Sequence, residues 1–321
     1  MLYTYIYQFV QPKINDTLFQ FLQCIFNYGA CVVFDLEDGV QDPMNPINNA
    51  SLKAEARETI FNIINTHKSF LNGKLVGIRL NSIDSIYFSE DIELLCKIRS
   101  HITWDSVFLP KIESIEHIDN CLDQLSVRQV IWKQIIPIVE SKEGMKNLKT
   151  LVLGKKRTQF RKISFGHADY NLDMQNWPFF HQNSEQFWNI VYQFTNDVES
   201  AGYEYVNTPL LELSNDDLFI KTKAYLSHLC KLNYGQVTLS TRQTRLCAES
   251  KETGLLYVPT KSQLSELDKI RNAKHIIESF RKNKVPGKGF AVEYDTNVLI
   301  SPQEYKAAML FLEFINSKQN A

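Results

Sequence analysis

The stretch Cys31-Val-Val-Phe-Asp-Leu-Glu-Asp-Gly-Val-Gln-Asp42 joins a short apolar run directly to a group of acids. Residues 31–34 are all apolar, and Asp35, Glu37 and Asp38 follow within four positions. A strand facing water would alternate apolar and polar residues, so this run indicates a buried strand of a parallel sheet that ends at a polar site. Because carboxylates this close repel one another, we expect a metal ion, a lysine or an arginine among them.

The same pattern of an apolar strand followed by an amphipathic helix recurs through most of the chain. Eight strands are predicted, at residues 3–10, 31–35, 75–81, 106–111, 134–140, 162–166, 203–206 and 236–239. Seven helices are predicted between them, one from the capping residues Asn15 and Asp16 to Gly29 and the others at 51–66, 89–99, 115–125, 143–153, 184–200 and 215–230. Strict alternation predicts right-handed βαβ units and a parallel sheet. Eight such units fit an α/β fold of the closed (β/α)8 (TIM) barrel type better than an open sheet.

The C-terminal part has a different sequence pattern, which divides the chain into a barrel domain at 1–254 and a helical extension at 255–321. A charged helix is predicted from a capping box at Thr260 and Gln263. The last helix begins with Ser301 as its N-cap and a proline in its first position. An extension of this size cannot form its own core, so we expect it to pack on the barrel or on a neighbouring subunit.

Composition excludes several classes of partner. The formal net charge is −1, and no basic stripe with interleaved aromatic residues is present, so nucleic acid is not an expected partner. No apolar run has the roughly 18 residues that a membrane span needs, so no membrane association is expected. The six cysteines are scattered without a Cys-x-x-Cys pair, which favours a reducing, cytoplasmic location.

Charged residues follow five successive predicted strands. In order these are Asp35, Glu37 and Asp38; Arg79 with Asn81; Lys111; Glu140; and His167 with Asp169. In a parallel barrel every strand delivers its C-terminal end to one face, where active sites are built. A single charged residue after a strand usually lies in a solvated loop. Charged residues at the ends of five successive strands predict a functional site rather than a merely polar rim.

The residue types suggest a role for each position. Glu140 and Asp169 follow neighbouring strands and could share one hard divalent cation, with water and substrate oxygens completing an octahedral shell. Arg79 suits a substrate carboxylate, because its guanidinium can donate two parallel hydrogen bonds. A 2-oxo acid that chelates the metal would have its carbonyl polarised and its enolate stabilised.

The other charged residues have less certain roles by type alone. Asp35, Glu37 and Asp38 are expected to orient basic residues or metal-bound water. Lys111 is either part of the chemistry or a structural cation that neutralises the acids. His167 either transfers a proton in the reaction or is a histidine packed at the rim of the barrel.

A set of motifs in a fixed order resembles one known superfamily. These are Val32-Val-Phe-Asp-Leu-Glu-Asp-Gly-Val40, Lys53-x-x-Ala56-Arg57, Ile78-Arg-Leu-Asn81, Leu109-Pro-Lys-Ile-Glu113, Pro137-Ile-Val-Glu-Ser-x-Glu-Gly144 and Phe165-Gly-x-x-Asp-Tyr170. Together they resemble the citrate lyase β-subunit-like branch of the HpcH/HpaI aldolase superfamily. The likeness covers the barrel from about residue 30 to 170.

The resemblance implies a TIM-barrel carbon–carbon lyase with Mg²⁺ held by Glu140 and Asp169. It implies that Arg79 grips the carboxylate of an oxo-acid substrate, and Asn81, Lys53 and Gln243 are further expected substrate-binding residues. The substrate of such enzymes is usually a CoA thioester, so a small carboxylate or an acyl-CoA is the expected ligand. The extension is expected to pack across a subunit boundary in a homo-oligomer, often a trimer.

The sequence also departs from the family pattern near both ends of the barrel. Phe9-Val-Gln-Pro-Lys13 and Leu239-Ser-Thr-Arg-Gln243 keep only parts of the motifs of strands one and eight. In the family's Asp-Gly-x-Met-Ile-Asp-x-Pro motif the second Asp is a catalytic acid/base lent to a neighbouring subunit, and Ile300 stands there in this chain. Asp295, His167 or another group would have to take its place. Two alternatives therefore remain open: a class II pyruvate-type aldolase that acts without CoA, and a non-catalytic binding protein.

Overall fold

Eight parallel strands close into a barrel in the computed structural model, which describes residues 2–13, 17–153, 160–250, 259, 264–285 and 287–319. The barrel strands are β1 (Thr4–Val10), β2 (Cys31–Asp35), β3 (Val76–Arg79), β4 (Ser106–Leu109), β5 (Ile135–Val139), β6 (Lys162–Phe165), β7 (Glu204–Asn207) and β8 (Tyr234–Thr238). Each strand pairs with the next one in the chain, and β1 closes the barrel against β8, with Tyr7 opposite Val237. The predicted (β/α)8 barrel is confirmed.

Helices follow the strands, as the alternating sequence pattern predicts. They are α1 (Leu18–Asn27), α2 (Asn49–Thr66), α3 (Lys68–Leu71), α4 (Phe88–Lys97), α5 (Ile115–Val127), α6 (Lys142–Leu153), α7 (His167–Asp173), α8 (Glu185–Ser200), α9 (Asp216–Leu229), α10 (Thr241–Glu249), α11 (Glu266–Asn283) and α12 (Pro302–Gln319). The sequence pattern does not predict α3, α7 or α10. α3 and α7 have only four and seven residues, and α10 is mostly polar, so none of them shows a long apolar stripe.

The apolar residues form two layers. Tyr7, Val33, Phe108, Ile136 and Val206 fill the barrel interior, with Tyr7 and Phe108 in an edge-to-face contact. A larger layer lies between the strands and the surrounding helices. This packing explains why the strand bodies are apolar throughout, since both faces of a parallel barrel strand are covered.

The extension packs on the barrel of its own chain. β9 (Ala291–Val292) and β10 (Leu299–Ile300) form a two-stranded antiparallel sheet between α11 and α12. The rings of Phe280 and Tyr305 stack with centroids 4.4 Å apart, which joins α11 to α12, and α12 also contacts α7. The extension is therefore placed against the end of β6.

The predicted start of the last helix is confirmed, because the Ser301 hydroxyl accepts a hydrogen bond from the Glu304 amide at 3.1 Å. Several other predictions fall outside the described residues: the caps Asn15 and Asp16, the capping box at 260–263 and the boundary at 254/255. Across the described ranges, no helix combines the length and the apolar character needed to cross a membrane.

Candidate active site

A cavity of about 460 Å³ opens at the C-terminal ends of the barrel strands. Six of the residues predicted for the site line it: Asp35, Asp38, Arg79, Glu140, His167 and Asp169. The first turn of α12 lies against the same cavity and contributes Ser301, Pro302 and Gln303. The rest of the wall is largely apolar, with aromatic and aliphatic residues from β1, α1 and the loops after β7 and β8.

Arg79 is held by the acids that follow β2. Its Nε and one terminal nitrogen each donate to Asp35 at 2.7 Å, which is the bidentate arrangement typical of a strong arginine–carboxylate pair. Its other terminal nitrogen lies 2.8 Å from Glu37 and 3.1 Å from Asp38. Burial opposes the charge on Arg79, but the three carboxylates outweigh that effect and raise its pKa well above the usual value. Most of the N–H donors of the guanidinium therefore bind carboxylates of the protein, and few remain for a substrate carboxylate.

Lys111 is the second basic residue of the acid cluster. It has a positive φ of 55°, its backbone N–H donates to Glu140 at 2.8 Å, and its ammonium lies 2.9 Å from Glu37 and 3.6 Å from Asp169. The charge of Glu37 in particular raises the pKa of Lys111, so its side chain stays positively charged. Neither Lys111 nor Glu37 lines the cavity, and both stand just behind its acidic wall.

Glu140 and Asp169 meet at the cavity wall, as predicted. Glu140 follows β5, whereas Asp169 lies in the first turn of α7 and not in the strand end where it was expected. Burial, followed by the charge of Asp169, raises the pKa of Glu140 well above its usual value. Burial, followed by the charge of Asp38, raises the pKa of Asp169 to about 7. Both carboxylates are therefore costly to ionise together without a nearby cation.

The composition of this wall fits a divalent cation. At this wall or just behind it, two basic side chains, Arg79 and Lys111, lie among five carboxylates: Asp35, Glu37, Asp38, Glu140 and Asp169. In the described residues no group of three or more His, Cys, Asp or Glu side chains is arranged to hold a metal. A cation here would be held by Glu140 and Asp169, with water and substrate completing its shell, which is the arrangement that Mg²⁺ commonly adopts.

His167 begins a chain of hydrogen bonds that leads from the cavity to the extension. Its Nδ1 is 2.7 Å from the Thr208 hydroxyl, and its Nε2 is 3.2 Å from Nδ1 of His181. The Nε2 of His181 lies 3.3 Å from Glu304. Burial, aided by the neighbouring His181, lowers the pKa of His167 well below its usual value, so it is neutral at pH 7. The sequence analysis missed Thr208, His181 and Glu304, because their approach depends on how loops and the extension fold back.

Three residues predicted to bind substrate, Lys53, Asn81 and Gln243, lie outside the set of residues that line the cavity. The Lys53 ammonium donates to the carbonyls of Leu36 and Glu37 at 2.8 and 3.1 Å, so it fixes the acidic loop. The Asn81 side chain donates to Asp91 at 2.8 Å.

Gln243 likewise serves the backbone. Its amide donates to the Leu210 carbonyl at 2.9 Å and accepts from the Leu239 N–H at 3.0 Å. It therefore ties the loop after β7 to the loop after β8. These amide and ammonium groups shape the site from behind, because each donates to neighbouring protein atoms.

The position of the family's C-terminal acid is now apolar. Ile300 is buried among Phe280, Ala291 and Tyr305 and does not line the cavity. Asp295 is exposed in the turn between β9 and β10 and does not line the cavity of its own chain. Of the two replacements named from the sequence, His167 alone lies at the cavity wall.

The fold and the cavity define a class: a TIM-barrel protein with an acidic site at the C-terminal ends of its strands. The family model for HpcH/HpaI aldolase/citrate lyase matches residues 21–202, more than half of the chain. The chain therefore belongs to the HpcH/HpaI aldolase/citrate lyase family, and the resemblance inferred from its motifs is confirmed. No curated protein matches the sequence.

Solved structures share the fold at low sequence identity. Haloferax volcanii malate synthase in a pyruvate/acetyl-CoA ternary complex is 15% identical, with a TM-score of 0.71 over 99% of this chain and 92% of that one. The citrate lyase β subunit of M. tuberculosis, complexed with oxaloacetate and magnesium, is 12% identical, with a TM-score of 0.56 over 77% of this chain and 96% of that one. RipC from Yersinia pestis is 16% identical, with a TM-score of 0.55 over 76% and 93%. The first likeness extends over the C-terminal helices. At these identities the solved structures show that the fold is shared, and neither they nor the family match favours either alternative left open by the sequence.

Proposed function

We propose that this protein is a Mg²⁺-dependent carbon–carbon lyase or aldolase that acts on a small oxo acid or its acyl-CoA derivative. The observation that carries the proposal is the pair of buried carboxylates, Glu140 and Asp169, at the wall of the cavity. A cation bound there would polarise the carbonyl of a chelated oxo acid and stabilise negative charge on its oxygen. Mn²⁺ would serve the same purpose.

The known proteins of similar fold support this substrate class. The M. tuberculosis citrate lyase β subunit is complexed with oxaloacetate and magnesium, and the Haloferax malate synthase forms a ternary complex with pyruvate and acetyl-CoA. For this chain we propose a substrate of the same kind, an oxo acid with an ionised carboxylate. The same proposal includes substrates in which this acid is joined to CoA as a thioester. We also propose that the protein is a homo-oligomer, specifically a trimer, and that its location is cytoplasmic, in keeping with six free cysteines.

The roles of the individual side chains follow from their contacts. Asp35 fixes the guanidinium of Arg79, which keeps a positive charge at the cavity wall and attracts the substrate carboxylate. Because Arg79 already binds three acids, we propose that it contributes one hydrogen bond and its charge rather than a bidentate grip.

The remaining residues hold the acids and move the proton. Lys111 and Arg79 keep Glu37 and Asp38 in place. Although burial alone would raise the pKa of Asp38, Arg79 and Lys111 lower it, so this acid stays ionised. His167 is neutral and reaches the cavity, so we propose it as the group that accepts or delivers the proton.

The test is a panel of 2-oxo acids, hydroxy-oxo acids and acyl-CoA thioesters, assayed for cleavage with and without Mg²⁺. We expect cleavage of at least one compound, dependent on added metal and abolished by EDTA. Glu140→Ala and Asp169→Ala should each remove the activity while the protein stays folded. Metal-independent cleavage, or activity unchanged in both variants, would refute the proposal. Comparison of each thioester with its free acid decides whether CoA is required.

A further inference from the structure

Gln303 joins two acids of the site through a single amide group. It lies in the first turn of α12, is 6% exposed and lines the cavity. Its Nε2 donates to Asp38 at 2.9 Å and to Asp169 at 2.7 Å. An amide nitrogen carries two hydrogens, so both are used on carboxylates that come from two different parts of the barrel.

The helix turn that carries Gln303 is itself fixed. Ser301 caps the helix, and the Glu304 side chain next to Gln303 contacts His181 at 3.3 Å. Tyr305 stacks on Phe280 and so anchors the same turn to α11. The amide is therefore presented to the acids by a backbone that is held on both sides.

The contact with Asp169 constrains how that carboxylate can bind a cation. Gln303 takes one of the two carboxylate oxygens, Oδ2, whereas Oδ1 faces Lys111 at 3.6 Å. Each carboxylate oxygen has two lone pairs, so the hydrogen bond to Oδ2 fixes the orientation of Asp169 and still allows the carboxylate to bind a metal. Hydrogen bonds to a ligating carboxylate fix its orientation and usually matter for metal affinity.

We propose that Gln303 is a positioning residue that orients Asp169 for the cation, and that it acts on the barrel of its own chain. This inference rests on the proposed function and names a residue three positions after Ile300, where the family's acid is missing. The extension thus contributes to the site through a neutral amide. If its role were purely structural, Gln303 would hold α12 against the barrel and would not affect metal binding.

The experiment is titration calorimetry of the full-length protein with Mn²⁺, together with thermal unfolding of each variant. Gln303→Met keeps the length of the side chain but removes its N–H donors, and Gln303→Asn keeps the amide but shortens its reach. Both variants should bind Mn²⁺ about 10- to 100-fold more weakly than wild type. Gln124→Met is the matched control, because that amide on α5 donates to Asn120 and is not among the residues that line the cavity. Its Mn²⁺ affinity should stay within about twofold of wild type.

The possible results separate the inference from the proposed function. If wild type binds Mn²⁺ and both Gln303 variants bind it within twofold as tightly, Gln303 is structural and the inference is wrong, while the proposed function stands. A lower melting temperature with unchanged affinity leads to the same conclusion. If Gln303→Met does not fold, Gln303→Asn decides. If wild type itself binds no Mn²⁺, the metal-dependent function fails, and the inference fails with it.

Discussion

Proton competition at Asp169 should make metal binding depend steeply on pH. Burial and the charge of Asp38 raise the pKa of this carboxylate to about 7, so a proton remains on it through mildly acidic pH. A raised acid pKa favours the protonated form, and a metal has to displace that proton. The affinity for the metal should therefore be highest at pH values above the raised pKa, and it should fall as the pH drops through that pKa.

The size of the effect follows from the pKa. A group of pKa 7 is about 90% ionised at pH 8 and about 10% ionised at pH 6, so the apparent affinity should fall about tenfold over this range. Glu140 also has a raised pKa, which makes the fall steeper. We would measure Mn²⁺ binding by calorimetry at pH 6, 7 and 8 in buffers of different ionisation enthalpy, which also reports proton release.

Two controls make the result interpretable. Thermal unfolding at each pH shows that the protein stays folded, and the Gln124→Met variant should follow the wild-type pH profile. A dissociation constant that changes less than about twofold between pH 6 and pH 8, with no proton release, would refute the assignment of Asp169 as a ligand.

Two further predictions concern the residues behind the site. Arg57→Met leaves the buried Asp91 carboxylate without its 3.0 Å partner and should lower the free energy of unfolding by about 3 kcal/mol in urea denaturation. Arg271→Met, which breaks an exposed pair, should change it by less than about 0.5 kcal/mol; equal losses would contradict the reasoning. Gly166→Ala places a Cβ within 2.7 Å of the Cβ of Glu140, so it should weaken Mn²⁺ binding in a folded protein; unchanged binding would show that the glutamate is not held there.

The sequence predicts the barrel well because its signal is local. Each strand is a short apolar run, and the run at 31–35 coincides with β2 in the structure. Strand eight was placed at 236–239, whereas β8 is Tyr234–Thr238, because Gly235 resembles a turn residue although its backbone packs closely on Tyr7 and Val206. The helix α10 is mostly polar, so it does not stand out as a helix in the sequence.

The position of the site could also be predicted, but the direction of individual side chains could not. Parallel strands bring Arg79, Glu140 and their neighbours to one face whatever the details of packing. Lys53 and Asn81 follow the same motifs, yet their side chains turn to a backbone carbonyl and to Asp91. Gln303 was missed because its contact depends on how a distant helix docks on the barrel, which no local pattern encodes.

Every step of the proposed reaction depends on a divalent cation at Glu140 and Asp169. The most direct measurement is an anomalous difference map from crystals grown with Mn²⁺ and oxaloacetate. We predict one strong peak within coordination distance of both carboxylates, together with electron density for an oxo acid in the cavity. A map with no peak there, or with Mn²⁺ bound elsewhere while the two carboxylates contact only Lys111 and Gln303, would contradict the proposed metal site.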